Sequence, residues 1–181
     1  MKRVLSQTLL FFVSISLTVG CGNSAPSTEN NAATKPAANA PETTAEVLLT
    51  SEPAGAKEVI QARKSAKNDE EVVLVGRIGG SENPWIEGRA AFSIVDNSLK
   101  ACSDIPGDGC DKPWDYCCET DKLPTAMALI KVVDEEGKLI NTDARKLLKV
   151  KELQTVVVKG KAQRDDSGNL TVFASGIFVR N

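Results

Sequence analysis

The chain has 181 residues, with 22 Lys and Arg against 24 Asp and Glu, and a formal net charge of −2 at pH 7. Nucleic-acid binding needs clustered basic side chains that neutralise phosphates, so this balance argues against such a partner. The absence of histidine removes the usual general base of Ser-His and Cys-His enzymes and the commonest metal ligand. The stretch GRIGGS at 76–81 is glycine-rich but lacks the spacing and the lysine of a phosphate loop. The sequence therefore favours a protein that is not an enzyme.

Residues 1–20 have the layout of a secretory signal peptide. A basic start precedes an apolar run at 9–17, which is too short to span a bilayer. Small residues then lead to Cys21, and the stretch LTVGCG resembles the signal of bacterial lipoproteins. This resemblance implies that Cys21 carries a lipid that anchors the mature protein in a bilayer. Because Gly22 offers no aspartate-type retention signal, the resemblance implies the periplasmic face of the outer membrane.

Residues 21–50 combine the lipidated cysteine with a tether. Asn, Ala, Thr, Ser and Pro dominate this segment, and so little apolar surface cannot offset the entropy lost on ordering. We therefore expect a disordered tether that lets the following domain stand clear of the lipid headgroups. Residues 51–181 are enough for one domain with one hydrophobic core.

Residues 51–181 show the pattern of a small, mainly β domain. The segment 53–67 has apolar positions at helical spacing, and it predicts an N-terminal helix. Runs of β-branched residues predict five strands, at 71–78, 90–96, 126–134, 155–163 and 170–180. The segment 141–153 predicts a short helix between the third and fourth of these strands, with Asn141, Thr142 or Asp143 as its cap.

This order of elements resembles the OB-fold, a five-stranded Greek-key barrel with a helix between strands three and four. Gly76 and Gly160 fall in the middle of predicted strands, where a small barrel needs bends or bulges to close. OB-folds commonly bind single strands or oligosaccharides on aromatic side chains. Here Phe92, Phe173 and Phe178 are the strand aromatics, and we interpret them as core residues. An SH3-like barrel or an open sandwich is the alternative topology.

A long connection, residues 97–125, separates the second and third predicted strands. It holds four cysteines in the spacing C-x7-C-x6-C-C, namely Cys102, Cys110, Cys117 and Cys118. Because exported proteins fold in an oxidising compartment, an even number of cysteines favours two disulfides. Three connectivities are open, and a bond between the neighbours Cys117 and Cys118 is disfavoured because it closes a strained ring.

The composition of this connection predicts an ordered, disulfide-stapled surface at one end of the barrel. Trp114, Asp115 and Tyr116 are the candidate contacts to a ligand. Trp and Tyr combine a large apolar ring with a polar atom, so they suit a binding surface. The same two aromatic side chains could instead form the core of the loop.

Two alternatives use the cysteines as thiols and require no histidine. The first is a zinc or copper(I) site, formed either by the four thiolates or by thiolates together with one of the nearby carboxylates Asp104, Asp108, Asp111 and Asp115. The C-x2-4-C pairs that are typical of zinc sites are absent, which weakens it. The second is a redox role for the Cys117–Cys118 pair, although no basic residue adjoins the pair to lower its pKa.

The segment PWDYCCE, residues 113–119, resembles a run in exported bacterial proteins to which no activity is attached. The resemblance implies that the segment is a family feature, and it brings no cofactor with it. The sequence as a whole favours a lipid-anchored, OB-like binding or structural module of the bacterial cell envelope. Its expected partners are the lipid bilayer and either an envelope protein or a small ligand.

Overall fold

The computed structural model describes residues 47–180; the signal peptide, Cys21 and most of the tether lie outside them. The strands in this range are β1 (Lys57–Glu58), β2 (Glu71–Ile78), β3 (Ala91–Val95), β4 (Met127–Val132), β5 (Thr155–Arg164) and β6 (Leu170–Val179). The α-helices are α1 (Val59–Ser65), α2 (Leu123–Ala126) and α3 (Ala144–Leu148). None of the helices between residues 47 and 180 is long and apolar enough to cross a membrane.

Strands β2 to β6 close into a five-stranded barrel. Their order around the ring is β2-β3-β4-β6-β5, and β5 pairs with β2 to complete it. β4 and β6 run parallel, whereas the other neighbours in the ring are antiparallel. β1 is an extra strand that pairs in parallel with β2. With α3 between β4 and β5, this topology confirms the OB-like barrel that the sequence predicts.

The barrel interior is filled with aliphatic side chains. β3 is buried along its whole length, whereas β5 alternates between buried and exposed positions from Val158 onward. In β5, Val158 and Ala162 are buried while Lys159 and Lys161 face solvent. Phe92 of β3 is fully buried, and burial of a side chain of this size stabilises the fold by about 1.5–3 kcal/mol. Phe92 is therefore core, as predicted, whereas Phe173 and Phe178 of β6 are only half-buried and lie outside the core, contrary to the prediction.

Gly160 allows the barrel to close. The register of β5 against β6 shifts between Lys159 and Gly160, which marks an irregularity of the β-bulge type. A Cβ atom at Gly160 would lie 2.2 Å from the carbonyl oxygen of Phe173, so any side chain here would collide with β6. This confirms the bulge predicted at the mid-strand glycine.

The helix ends depend on carboxylates that cap backbone N–H groups. α1 is shorter than the predicted segment 53–67, because β1 pairs with β2 immediately before it. Its cap comes from another element: Asp96, just beyond β3, accepts a hydrogen bond from the N–H of Ile60 at 2.7 Å. In α3, Asp143 accepts from the N–H of Arg145 at 2.9 Å and is the N-cap, one of the three predicted candidates.

The residues just before position 51 lie against the barrel. The N–H of Leu49 donates to the carbonyl of Ile177 in β6 at 2.8 Å, and Leu48 forms a bridge with the same residue. The side chain of Leu49 covers Gly176, where an added Cβ atom would lie 3.1 Å from it. The end of the segment assigned to the tether from sequence is therefore packed on β6.

Candidate functional site: the cysteine loop

The connection between β3 and β4, residues 97–125, is an ordered excursion, and we call it the cysteine loop. It contains three short 3-10 helices, Cys102–Asp104, Pro113–Asp115 and Cys117–Glu119. At its base, the N–H of Asp96 donates to the carbonyl of Ala126 at 2.9 Å, which holds the two ends of the loop together. The loop is therefore ordered, as its composition predicts.

Tyr116 is the core of the cysteine loop. Its side chain is fully buried and belongs to a small apolar cluster with Val95, Leu99, Ala101 and Ala126. Its backbone is left-handed, with φ of 58°, and turns the chain between the second and third 3-10 helices. Tyr116 thus occupies the loop core, the alternative that the sequence left open.

The hydroxyl group of Tyr116 is buried without a hydrogen-bond partner in the described part of the chain. Burial raises the pKa of this group above its ordinary value because the charged phenolate would be poorly solvated. The side chain therefore stays neutral at physiological pH and contributes to the loop chiefly through the packing of its ring.

Two glycines of the GRIGGS stretch, Gly79 and Gly80, contact the backbone of the cysteine loop at Trp114. The N–H of Gly80 donates to the carbonyl oxygen of Trp114 at 2.8 Å. A Cβ atom at Gly79 would lie 2.6 Å from that same oxygen, so only glycine lets the loop approach this closely. The indole N–H of Trp114 donates to the carbonyl of Glu82 at 3.1 Å, and its ring stays partly exposed. The glycines of the GRIGGS stretch therefore allow the cysteine loop to pack closely against the barrel.

An ion pair joins the first 3-10 helix of the loop to the barrel. Arg77 of β2 donates to Asp104 Oδ2 at 2.5 Å, and the N–H of Ala101 donates to the same oxygen at 3.2 Å. The hydrogen bond from Arg77 holds the pKa of Asp104 below its ordinary value. Asp104 is thus committed to Arg77 and is not one of the carboxylates near the sulfur atoms.

The four cysteine side chains converge on Cys117. Its Sγ atom lies 3.3 Å from that of Cys102, 3.7 Å from that of Cys110 and 4.0 Å from that of Cys118. A disulfide bond measures about 2.05 Å, and all four thiols are free in this structure. Cys102 is buried at the base of the cluster, whereas Cys117 and Cys118 are exposed. The loop thus brings all four predicted cysteines together.

Two carboxylates reach the sulfur atoms. Asp115 Oδ1 lies 3.7 Å from Cys102 Sγ and 4.0 Å from Cys110 Sγ, and it accepts the N–H of Cys117 at 2.8 Å. The ligand atoms of Cys102, Cys110, Cys117 and Asp115 all lie within 4.8 Å of one another. A second set with the same property consists of Cys102, Cys118 and Asp108.

The surroundings of the exposed thiols disfavour thiolates. Hydrogen bonds with Cys102 and then with Cys110 raise the pKa of Cys117 far above its ordinary value. For Cys118, the hydrogen bond with Cys117 lowers the pKa, but partial desolvation of the thiol and its hydrogen bond to Asp108 outweigh this effect, and the net shift is upward. Because the thiolate is the nucleophile, this environment does not favour a thiol redox centre.

A cavity of about 470 Å³ lies on the barrel, away from the sulfur atoms. Ser93 and Leu129 of β3 and β4 line it, together with Asn169 and the exposed side chain of Ile86. Sequence patterns did not indicate this cavity, because the residues that line it are far apart in the chain.

No protein-family model matches the chain, and no curated protein matches it. Its function is therefore inferred from the residues of the cysteine loop and the barrel that carries them.

Proposed function

We propose that this protein is an exported, lipid-anchored, OB-like binding module of the bacterial cell envelope. In this proposal Cys21 carries the lipid and holds the protein at the outer membrane, and the barrel presents the cysteine loop as its binding surface. The partner is an envelope protein or a small ligand. The observation that carries the proposal is the 3.3 Å contact between the sulfur atoms of Cys102 and Cys117, which can fix the loop as a rigid surface.

A disulfide between Cys102 and Cys117 requires the two sulfur atoms to approach from 3.3 Å to about 2.05 Å. The two thiols lose two protons and two electrons to a disulfide of the envelope's thiol oxidants, which is reduced to two thiols. The bond closes a loop of about 15 residues, which corresponds to roughly 3 kcal/mol of stabilisation by closure entropy. A second bond between Cys110 and Cys118 completes the even number of cysteines.

The rigid loop offers one large side chain to a partner. Trp114 is partly exposed, and Asp111 and Lys112, three and two positions earlier in the chain, carry charges of both signs. Lys112 forms an ion pair with Glu82 of the preceding loop, which supports this surface from the barrel side. A positioned aromatic ring with a polar rim is the usual arrangement at the energetic centre of a protein interface.

The proposal is tested by producing the full chain in a bacterium with two membranes, next to the variant Cys21→Ser. We expect the parent chain in the outer-membrane fraction and the variant in the soluble periplasmic fraction. Protease digestion without reduction is expected to release a peptide in which Cys102 is linked to Cys117. Retention of the parent chain in the cytoplasm, or a bond from Cys102 to another cysteine, would contradict the proposal.

A further inference from the structure

We propose that the cysteine loop, when its thiols are reduced, binds one zinc ion through Cys102, Cys110, Cys117 and Asp115. This inference rests on the proposed function in one respect, because it takes the cysteine loop as the binding surface. It goes further by naming the ligand as a divalent, thiophilic cation and by assigning four donor atoms.

Four of the six distances between the donor atoms are close to those of a tetrahedral zinc centre. Zinc–sulfur bonds of about 2.3 Å place neighbouring sulfur atoms about 3.8 Å apart, and a carboxylate oxygen about 3.5 Å from each sulfur. The structure has 3.3 and 3.7 Å from Cys117 to Cys102 and Cys110. Asp115 Oδ1 is 3.7 and 4.0 Å from the sulfur atoms of Cys102 and Cys110. These four distances differ from the ideal values by about 0.5 Å or less, and the two remaining donor pairs lie within 4.8 Å.

The carboxylate of Asp115 is oriented for this role. The N–H of Cys117 fixes its Oδ1 at 2.8 Å, in the way that hydrogen bonds commonly orient metal ligands. Among residues 47–180, this carboxylate contacts two thiols and a backbone N–H, with no Lys or Arg as an ion-pair partner. A cation at the centre of the cluster would supply the missing positive charge.

The four donor residues differ in burial, so the cluster is closed on its inner side and open to solvent on its outer side. Cys102 is fully buried and closes the inner side of the cluster. Cys117 is exposed and leaves the outer side open to an arriving ion. Tyr116, between Asp115 and Cys117 in sequence, is locked in the loop core and holds both neighbours in place.

Binding replaces three thiol protons. Three S–H bonds break, and both electrons of each S–H bond stay on sulfur. The three thiolates form three zinc–sulfur bonds, and the three protons go to the solvent. No electron is transferred, so no oxidant is involved. Zinc suits the donor set better than copper(I), because a carboxylate oxygen is a hard ligand and copper(I) prefers sulfur alone.

Zinc binding and the proposed disulfide exclude each other, because both require the sulfur atoms of Cys102 and Cys117. The oxidised loop is therefore expected to bind no zinc. Cys118 contacts Cys117 at 4.0 Å but lies outside the four-donor set, and its thiol donates to Asp108 at 3.6 Å. Cys118 therefore provides a matched control within the same cluster.

The test uses the full chain in detergent, reduced with a phosphine that does not bind zinc, and titrated with Zn²⁺ against a competing chelator. Native mass spectrometry counts the bound ions, and far-UV circular dichroism verifies that each variant is folded. Cys110→Ser is paired with Cys118→Ser, and Asp115→Asn is paired with Asp111→Asn, since Asp111 is an exposed residue of the same loop.

We expect one zinc ion per chain, affinity reduced by roughly 100-fold or more in Cys110→Ser and Asp115→Asn, and little change in the two control variants. No zinc uptake by the folded, reduced chain overturns the inference, as does uptake that depends on Cys118 in place of Cys110. Uptake of copper(I) alone overturns the choice of metal. Failure of the proposed function is recognised separately, by the location and the disulfide map of the chain as isolated from cells.

Discussion

The sulfur atoms of Cys102 and Cys117 lie 3.3 Å apart although the two residues are 15 positions apart in the chain. One of them is buried at the base of the cysteine loop and the other is exposed at its surface. A bond between them, or a shared ion, would therefore fix the outer part of the loop to its base. The loop is already placed for either outcome by Tyr116, by the Gly79–Gly80 support and by the Arg77–Asp104 ion pair.

Cys117→Ser is expected to lower the free energy of unfolding by about 3 kcal/mol under oxidising conditions, because the closed loop is lost. Under reducing conditions the parent chain and the variant should agree within about 0.5 kcal/mol, since the side chain is exposed. Urea unfolding with and without reductant measures both values. Equal stability of the parent chain in the two conditions would argue against the disulfide.

Gly79→Ala is expected to destabilise the protein by about 1–3 kcal/mol, because its Cβ atom would collide with the carbonyl oxygen of Trp114. Gly109→Ala is the matched control: an added Cβ atom there meets nothing within 4 Å, and we expect a change below about 0.5 kcal/mol. Thermal unfolding of the two variants compares them directly. Similar melting temperatures for both would show that the glycine support is not needed.

Tyr116→Phe is expected to leave the stability unchanged or raise it by up to about 1 kcal/mol, because it removes a buried hydroxyl group that lacks a partner. Tyr116→Ala should instead cost about 3–5 kcal/mol, since the ring fills the loop core. Chemical unfolding measures both changes. A large loss in Tyr116→Phe would mean that the hydroxyl group has a bonding partner.

The Arg77–Asp104 pair predicts a small acid-sensitive contribution to stability. The folded-state pKa of Asp104 is lowered, so its contribution is present above the unfolded-state pKa of about 3.9 and is lost as the pH falls through the folded-state pKa. Because the pair is partly exposed, Asp104→Asn should lower the free energy of unfolding by less than about 1 kcal/mol at pH 7. In strong acid the decrease should be smaller still. Urea midpoints at pH 7 and in strong acid, with Asp111→Asn as control, measure this. A stability difference between the parent chain and Asp104→Asn that is larger in acid than at pH 7 would contradict this prediction.

The barrel could be predicted from sequence because its signals are local. The β-branched run at 71–78 forms β2 with the predicted bounds, and Asp143 caps α3 where the pattern places a helix start. The predicted N-terminal helix is longer than the observed one, because β1 depends on pairing with β2, which no local pattern reveals. Likewise Trp85, which lies between two predicted strands, is buried against Phe92 with ring centroids 5.7 Å apart, a contact that no local pattern reveals.

The residues of the candidate site could be predicted from the sequence, but their arrangement in space could not. The four cysteines and Asp115 were candidates from their residue types, and their convergence on Cys117 was not evident from the spacing C-x7-C-x6-C-C. That convergence depends on the left-handed turn at Tyr116 and on contacts between the loop and β2, such as Arg77 with Asp104. These contacts join residues far apart in sequence, so local patterns carry no signal for them.

The most direct test of the stapled loop is the intact mass of the full chain as isolated from the cell envelope, with thiol alkylation before and after reduction. We expect a mass lower by two hydrogens for each disulfide, and no alkylation of Cys102 or Cys117 until a reductant is added. Immediate alkylation of Cys117 in the untreated, unfolded chain would show that its thiol is free in the envelope, and it would contradict the proposed disulfide.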